Sequence, residues 1–201
     1  MGGGHGSSGH GKMDEGHGSS GHGKMGEGDS YPIVRLMIER KETYDRRVPE
    51  RLSSPLPPVA GSGSVRPVSL AMQHMGGWTI NGLTFSMKDA PIVVTKRSRE
   101  VWHIGNAAAS MPHPMHLHGY FYRVVERRGS PSQVKRRVVD SQGRIASDLG
   151  FKDTVLVWPG ETVLVEIDFG TPNYPGEQLF LFHCHNLEHE DQGMMLNVRV
   201  L

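Results

Sequence analysis

TVLVWPGETVLVEIDF, residues 154–169, decides the fold class. Two alternating runs rich in β-branched residues, Thr154–Trp158 and Glu161–Phe169, flank Pro159-Gly160, and that dipeptide between such runs predicts a hairpin. The same short-strand texture recurs on both sides, at Trp78–Ile80, Ile92–Thr95, Glu100–Ile104, Gly119–Glu126, Leu179–His183 and Met195–Leu201. No stretch sustains a helical period for three turns. Regularly spaced strands separated by turn residues predict an all-β domain over 65–201, an antiparallel sandwich or barrel.

The N-terminal third reads differently. Of 26 glycines, 12 lie in residues 1–30, where GHGSSGHGKM at 4–13 recurs at 16–25. Such a segment has little to bury and loses maximal backbone entropy on ordering, so a disordered Gly/His/Met-rich tail is expected over 1–30. Tyr31–Lys41 reads as a strand, and residues 49–67 hold five of the 13 prolines. Residues 31–64 are therefore expected to be a strand remnant followed by a Pro-rich linker.

Composition narrows the function. Lys plus Arg total 22 against 21 Asp plus Glu, a net charge of +1, which gives no electrostatic footprint for nucleic acid or anionic lipid. No apolar run approaches the roughly 20 residues of a membrane-spanning helix. One cysteine excludes an intrachain disulfide framework. The conspicuous counts are 12 His and 11 Met beside that cysteine, the softer and borderline ligands of transition metals.

Six of the histidines outside the tail fall in two clusters, His113-Pro-Met-His116-Leu-His118 and His183-Cys184-His185-Asn-Leu-Glu-His189, the second followed by Met194. Side chains alternate along a strand, so His116 and His118 share a face. By the same rule His183 and His185 point one way and Cys184 the other, and the tripeptide can serve two metal sites at once. With Cys184 go His113, His189 and Met194: two imidazoles, a thiolate and a weak thioether make the ligand set of a blue-copper electron-transfer centre. The remaining four imidazoles suit copper at least as well as zinc. A structural zinc site is the rival, but it leaves Met194 unexplained.

HPMHLHG, followed about seventy residues later by HCHNLEHEDQGMM, resembles the C-terminal cupredoxin domain of multicopper oxidases, bacterial copper-tolerance oxidases and laccase-like enzymes among them. WTINGLTF, EVWHIGN and WPGETVLVEIDF share the likeness, which covers roughly residues 65–201. The resemblance implies a Greek-key cupredoxin sandwich with copper as cofactor. It makes His113, Cys184 and His189 type 1 copper ligands with Met194 axial, His116 a type 2 ligand, and His118, His183 and His185 ligands of a type 3 pair. It further implies that electrons from a small reducing substrate (a phenol, an aromatic amine or cuprous ion) enter at the type 1 site. They then pass through His183-Cys184-His185 to a trinuclear cluster where dioxygen becomes water. Glu190 matches a position that in some members supplies protons near that cluster, with a surface acid as the alternative.

The trinuclear cluster needs eight imidazoles and this sequence offers four. The resemblance therefore implies a partner, an N-terminal cupredoxin domain supplying two HxH motifs on the same natural chain or another. A stand-alone blue-copper carrier and a copper-sequestering protein remain as alternatives. No signal peptide is read after Met1, although the resemblance suggests a periplasmic or secreted protein. His103, opposite Trp102, reads as structural. Met72, His74 and Met75 read as a loop packing on Trp78, an accessory copper site being the alternative. Arg127, Arg128, Lys135, Arg136 and Arg137 read as a solvated hairpin face.

Overall fold

The computed structural model describes residues 34–37, 39–40, 46–51, 56, 59, 61, 63–73 and 76–201. The chain divides into two compact units, 1–46 and 47–201. In the first, the tail at 1–30 lies outside the described residues. The described residues between 34 and 40 carry no strand, against the expectation for 31–41.

The second unit is built from β1 (Ser64–Met72), β2 (Trp78–Ile80), β3 (Ile92–Val94), β4 (Arg99–Asn106), β5 (His113–Leu117), β6 (Tyr122–Arg128), α1 (Ser132–Lys135), β7 (Phe151–Lys152), β8 (Thr154–Val157), β9 (Thr162–Asp168), β10 (Gln178–Cys184), α2 (Leu187–Asp191) and β11 (Met195–Val200). Two sheets form, ordered β2-β1-β4-β9-β6-β7 and β3-β11-β10-β5-β8. They make a cupredoxin-type β-sandwich. The sandwich is mixed rather than wholly antiparallel, because β1 runs parallel to β4 and β3 parallel to β11.

Pro159-Gly160 makes a turn but not a hairpin. β8 belongs to one sheet and β9 to the other, so the turn is a corner between layers. The chain cannot fold back on itself here because each strand has other partners: β8 pairs with β5, and β9 lies between β4 and β6. Gly160 sits at a φ of 76° and donates its N–H to Asn106 O, 3.0 Å away, pinning the corner to the end of β4.

The core fills the space between the layers with Trp102, Tyr122, Phe169, Phe182, Ile104 and Ile167, each fully buried. Burying an aliphatic or aromatic side chain of this size contributes about 1.5–3 kcal/mol. Trp102 meets Phe182 edge-on at 5.2 Å, joining β4 to β10 across the interior.

Arg127 corrects the expectation of a solvated hairpin face. Its guanidinium is 4% exposed and forks onto Asp148 with contacts of 2.7 and 3.0 Å. Nη1 also donates to both oxygens of Glu161, at 3.2 Å, and to Leu156 O at 3.1 Å. A strut thus runs from β6 in one sheet to β8 in the other. Arg128, Lys135, Arg136 and Arg137 are exposed, as expected.

Candidate metal centre

β5 and β10 lie side by side, with His183 opposite His116 and Cys184 opposite Met115. Along β5 burial alternates, so His113, Met115 and Leu117 face inward while Pro114 and His116 face out. On β10, Phe182 and Cys184 pack into the core. The pleat therefore sorts the ligand-type side chains into two groups on opposite sides of one sheet.

The inner group converges on a point. His113 Nδ1 and His189 Nδ1 are 3.1 Å apart, and Cys184 Sγ lies 3.5 Å from the first and 3.6 Å from the second. A metal bound at about 2.0 Å to nitrogen and about 2.3 Å to sulfur spaces its donors roughly 3.3–3.7 Å apart. The three donors thus already frame a metal-sized hole, and the thiolate–imidazole set fits copper by its softness. His189 reaches it because α2 doubles the chain back after Cys184. Its N–H donates to Asn186 O at 3.0 Å, and Met194 N–H donates to His189 O at 2.9 Å. Cys184 N–H then donates to Met194 O at 3.1 Å, bringing the fully buried Met194 beside the cysteine.

Other contacts orient these rings. Ser110 Oγ lies 2.9 Å from His113 Nε2 and can accept its proton, which leaves His113 Nδ1 for the metal, and the Asn186 side-chain amide lies 3.3 Å from His189 Nε2. Asn186 N–H donates to Cys184 Sγ at 3.4 Å. Burial, then the neighbouring His189, pushes His113 down to about 4, and burial also lowers His189. Both imidazoles stay neutral with lone pairs free. Burial raises the Cys184 thiol to about 11, so a bound cation must draw off its proton.

The outer group holds His116, His118 and His183, whose donor atoms lie within 4.8 Å of one another. His118 Nε2 and His183 Nε2 approach to 3.0 Å. His116 Nδ1 is engaged by Asp153 O at 2.9 Å and Thr154 Oγ1 at 3.0 Å, and His183 Nδ1 by Cys184 O at 3.2 Å. In both rings Nε2 is the atom left to ligate. His185 joins at the rim, its ring 5.1 Å from His116 and 5.0 Å from His183, outside the three-donor convergence. His118 is held below the usual imidazole range by burial and by the neighbouring His116 and His185. Glu190 Oε2 lies 3.5 Å from His183 Nδ1, so the acid borders this group.

His103 lies apart, in the sheet that does not contain β5 and β10, where β4 sets it opposite Leu164 of the neighbouring β9. Met72 ends β1 across from Trp78, whereas His74 and Met75 lie outside the described residues. Sequence reasoning missed Ser110, Asp153, Thr154 and Trp78. Only Asn186, adjacent to the ligand tripeptide, stood where a motif pointed.

Residues 63–201 match the family described as multicopper oxidase. A laccase of Haloferax volcanii is 37% identical over 118 residues, 59% of this chain and 18% of that protein. A bilirubin oxidase of Albifimbria verrucaria is 33% identical over 124 residues, 59% of this chain and 19% of the relative. Among solved structures, the McoA multicopper oxidase of Aquifex aeolicus superposes with a TM-score of 0.65 at 36% identity, covering 79% of this chain and 34% of that one. The chain spans about a fifth of the length of these two curated relatives.

Proposed function

The chain belongs to the multicopper oxidase family, and from that premise we propose that residues 63–201 are the electron-entry domain of a laccase-like oxidase. Bound copper would supply one-electron chemistry between a small reducing substrate, on the Cys184 side, and dioxygen, reduced to water on the side of the histidine cluster. His113, Cys184 and His189 would hold the first ion, with Met194 supplying the weak thioether beside them. His116, His118, His183 and His185 contribute half of the cluster, His116 to its type 2 ion and the other three to its type 3 pair. The other four imidazoles come from two HxH motifs of a further domain, on this natural chain or another. Phenols, aromatic amines and cuprous ion are the candidate substrates.

One observation carries the reading: consecutive residues of β10 place Cys184 in the inner group and His183 in the outer one. The backbone of one peptide unit, and the 3.2 Å contact from His183 Nδ1 to Cys184 O, span the distance between them. The protein's part is to fix this path and keep it dry. Glu190, with Oε2 3.5 Å from His183 Nδ1, is the carboxyl placed to relay the protons that oxygen reduction consumes.

The test is anaerobic copper loading followed by visible and EPR spectroscopy. One tightly held copper per chain with an intense thiolate-to-copper band, lost in Cys184→Ser, is the expected result for the chain alone. Adding a domain that bears two HxH motifs raises the count to about four and adds a type 2 signal. A chain that binds copper without the thiolate band, or whose band survives Cys184→Ser, overturns the proposal.

A further inference from the structure

Trp78 sits against the inner group from an element more than a hundred residues away from Cys184 in sequence. Its indole lies 4.0 Å from the His189 ring, centroid to centroid, at an interplanar angle of 32°, and 5.1 Å from His113 at 71°. The two imidazoles are 4.9 Å apart and tilted by 59°. One plate thus lies along one ring and stands nearly perpendicular to the other. Trp78 is 7% exposed and belongs to the continuous core.

The strand behind it is anchored at several points. Trp78 pairs with Met72 of β1, Thr79 Oγ1 donates to Ala71 O at 3.2 Å, and Ile80 N–H donates to Leu83 O at 3.1 Å. A large aromatic ring on a pinned strand has little freedom, so the rings packed on it have little either. Asn186 and Ser110 reach the imidazoles through their Nε2 atoms, which leaves ring tilt to be fixed by packing.

We propose, resting on the reading of the Cys184 site given above, that Trp78 is a positioning residue for that site: its indole fixes the planes of His189 and His113 and bars water from the face they share. The apolar shell around a metal governs its solvent access and thereby its redox poise. Cupric ion gains more from added water and from relaxation toward tetragonal geometry than cuprous ion does. Removing the plate permits both, so the cupric state is favoured. A cation–π contact between indole and a metal-bearing imidazole acts in the opposite sense, since its loss disfavours the more positive state. With Trp78 this deeply buried, water exclusion is the larger effect.

The experiment compares the copper-loaded full chain with Trp78→Leu and Trp78→Phe by potentiometric titration, visible absorption and EPR. Trp78→Leu is expected to shift the cupric-to-cuprous ratio at fixed applied potential at least tenfold toward cupric, about 59 mV for a one-electron couple. Its EPR copper hyperfine coupling changes with it. Trp78→Phe, which retains a smaller plate, is expected to show under half of that displacement. If Trp78→Leu does not fold, Trp78→Phe decides alone, a measurable fall in potential supporting the proposal. A potential and hyperfine coupling unchanged from wild type, or a rise in potential, overturns it. A wild-type chain without the thiolate-to-copper band instead overturns the reading of the Cys184 site itself, which separates the two failures.

Discussion

Arg127→Met tests the strut that joins the two sheets. Asp148 and Glu161 have fully buried side chains, and Arg127 is the cation that faces both. Their remaining partners are neutral donors: Ile145 N–H at 2.9 Å to Asp148, Ser130 Oγ at 2.5 Å and Trp158 N–H at 3.0 Å to Glu161. Methionine fills much of the arginine's volume but leaves two carboxylates without a counter-charge. Breaking a buried pair by removing one partner costs about 3–5 kcal/mol, because the charge left behind is uncompensated. Unfolding entropy near 2.1 cal/mol/K per residue gives about 0.3 kcal/mol/K for a domain of roughly 140 residues, hence a fall in Tm of about 10–17 °C. Thermal unfolding of the metal-free chain, followed by circular dichroism, measures it. The triple variant with Asp148→Asn and Glu161→Gln removes the stranded charges and is expected to recover at least half of the loss. A cost below about 1 kcal/mol, or a triple variant no better than the single one, would show that Arg127 is not the counter-charge holding these acids.

Three further outcomes are expected. Ser110→Ala strips His113 Nε2 of its 2.9 Å partner and weakens copper binding at the Cys184 site about 10–100-fold, read by chelator competition, whereas Thr154→Val leaves His116 Nδ1 its Asp153 carbonyl and has a smaller effect on cluster loading. Gly119 has a φ of 77°, and a Cβ there would come within 2.2 Å of Phe180 Cε1, so Gly119→Ala costs about 2–4 kcal/mol in urea unfolding. Glu190→Gln leaves the thiolate-to-copper band intact but slows oxygen-dependent turnover of the completed enzyme roughly a hundredfold; unchanged turnover returns Glu190 to the role of a surface acid.

The sequence was most legible where pattern is local. β-branched alternation marks β8, β9 and β11, and the spacing in the two histidine clusters correctly separates Cys184 from His183. β1 escaped notice because Pro67 lies inside it, the last of the five prolines between 49 and 67, and proline lacks the N–H a central strand is expected to donate. Its parallel pairing with β4 places Pro67 opposite His103 and tolerates the gap. β5 was legible as a row of ligands rather than as a strand. What lay out of reach was long-range: Arg127 finds acids that arrive from a 3-10 turn at Ala146–Asp148 and from the corner after Pro159, and Trp78 meets rings delivered by β5 and α2. Neither encounter leaves a periodic trace, because each depends on which sheet the chain enters after a turn.

The two-faced strand also limits how this domain tolerates length mutations. An insertion of one residue between Phe182 and His183 shifts the residues after it by one step against β5, and a one-step slip turns side chains of a strand to the opposite face. Cys184 would then point at the histidine cluster and His183 into the core, so both centres would fail together. Variants of different β10 length therefore have no partly metallated intermediate to pass through, and length variation should collect instead in the connections that leave this register untouched.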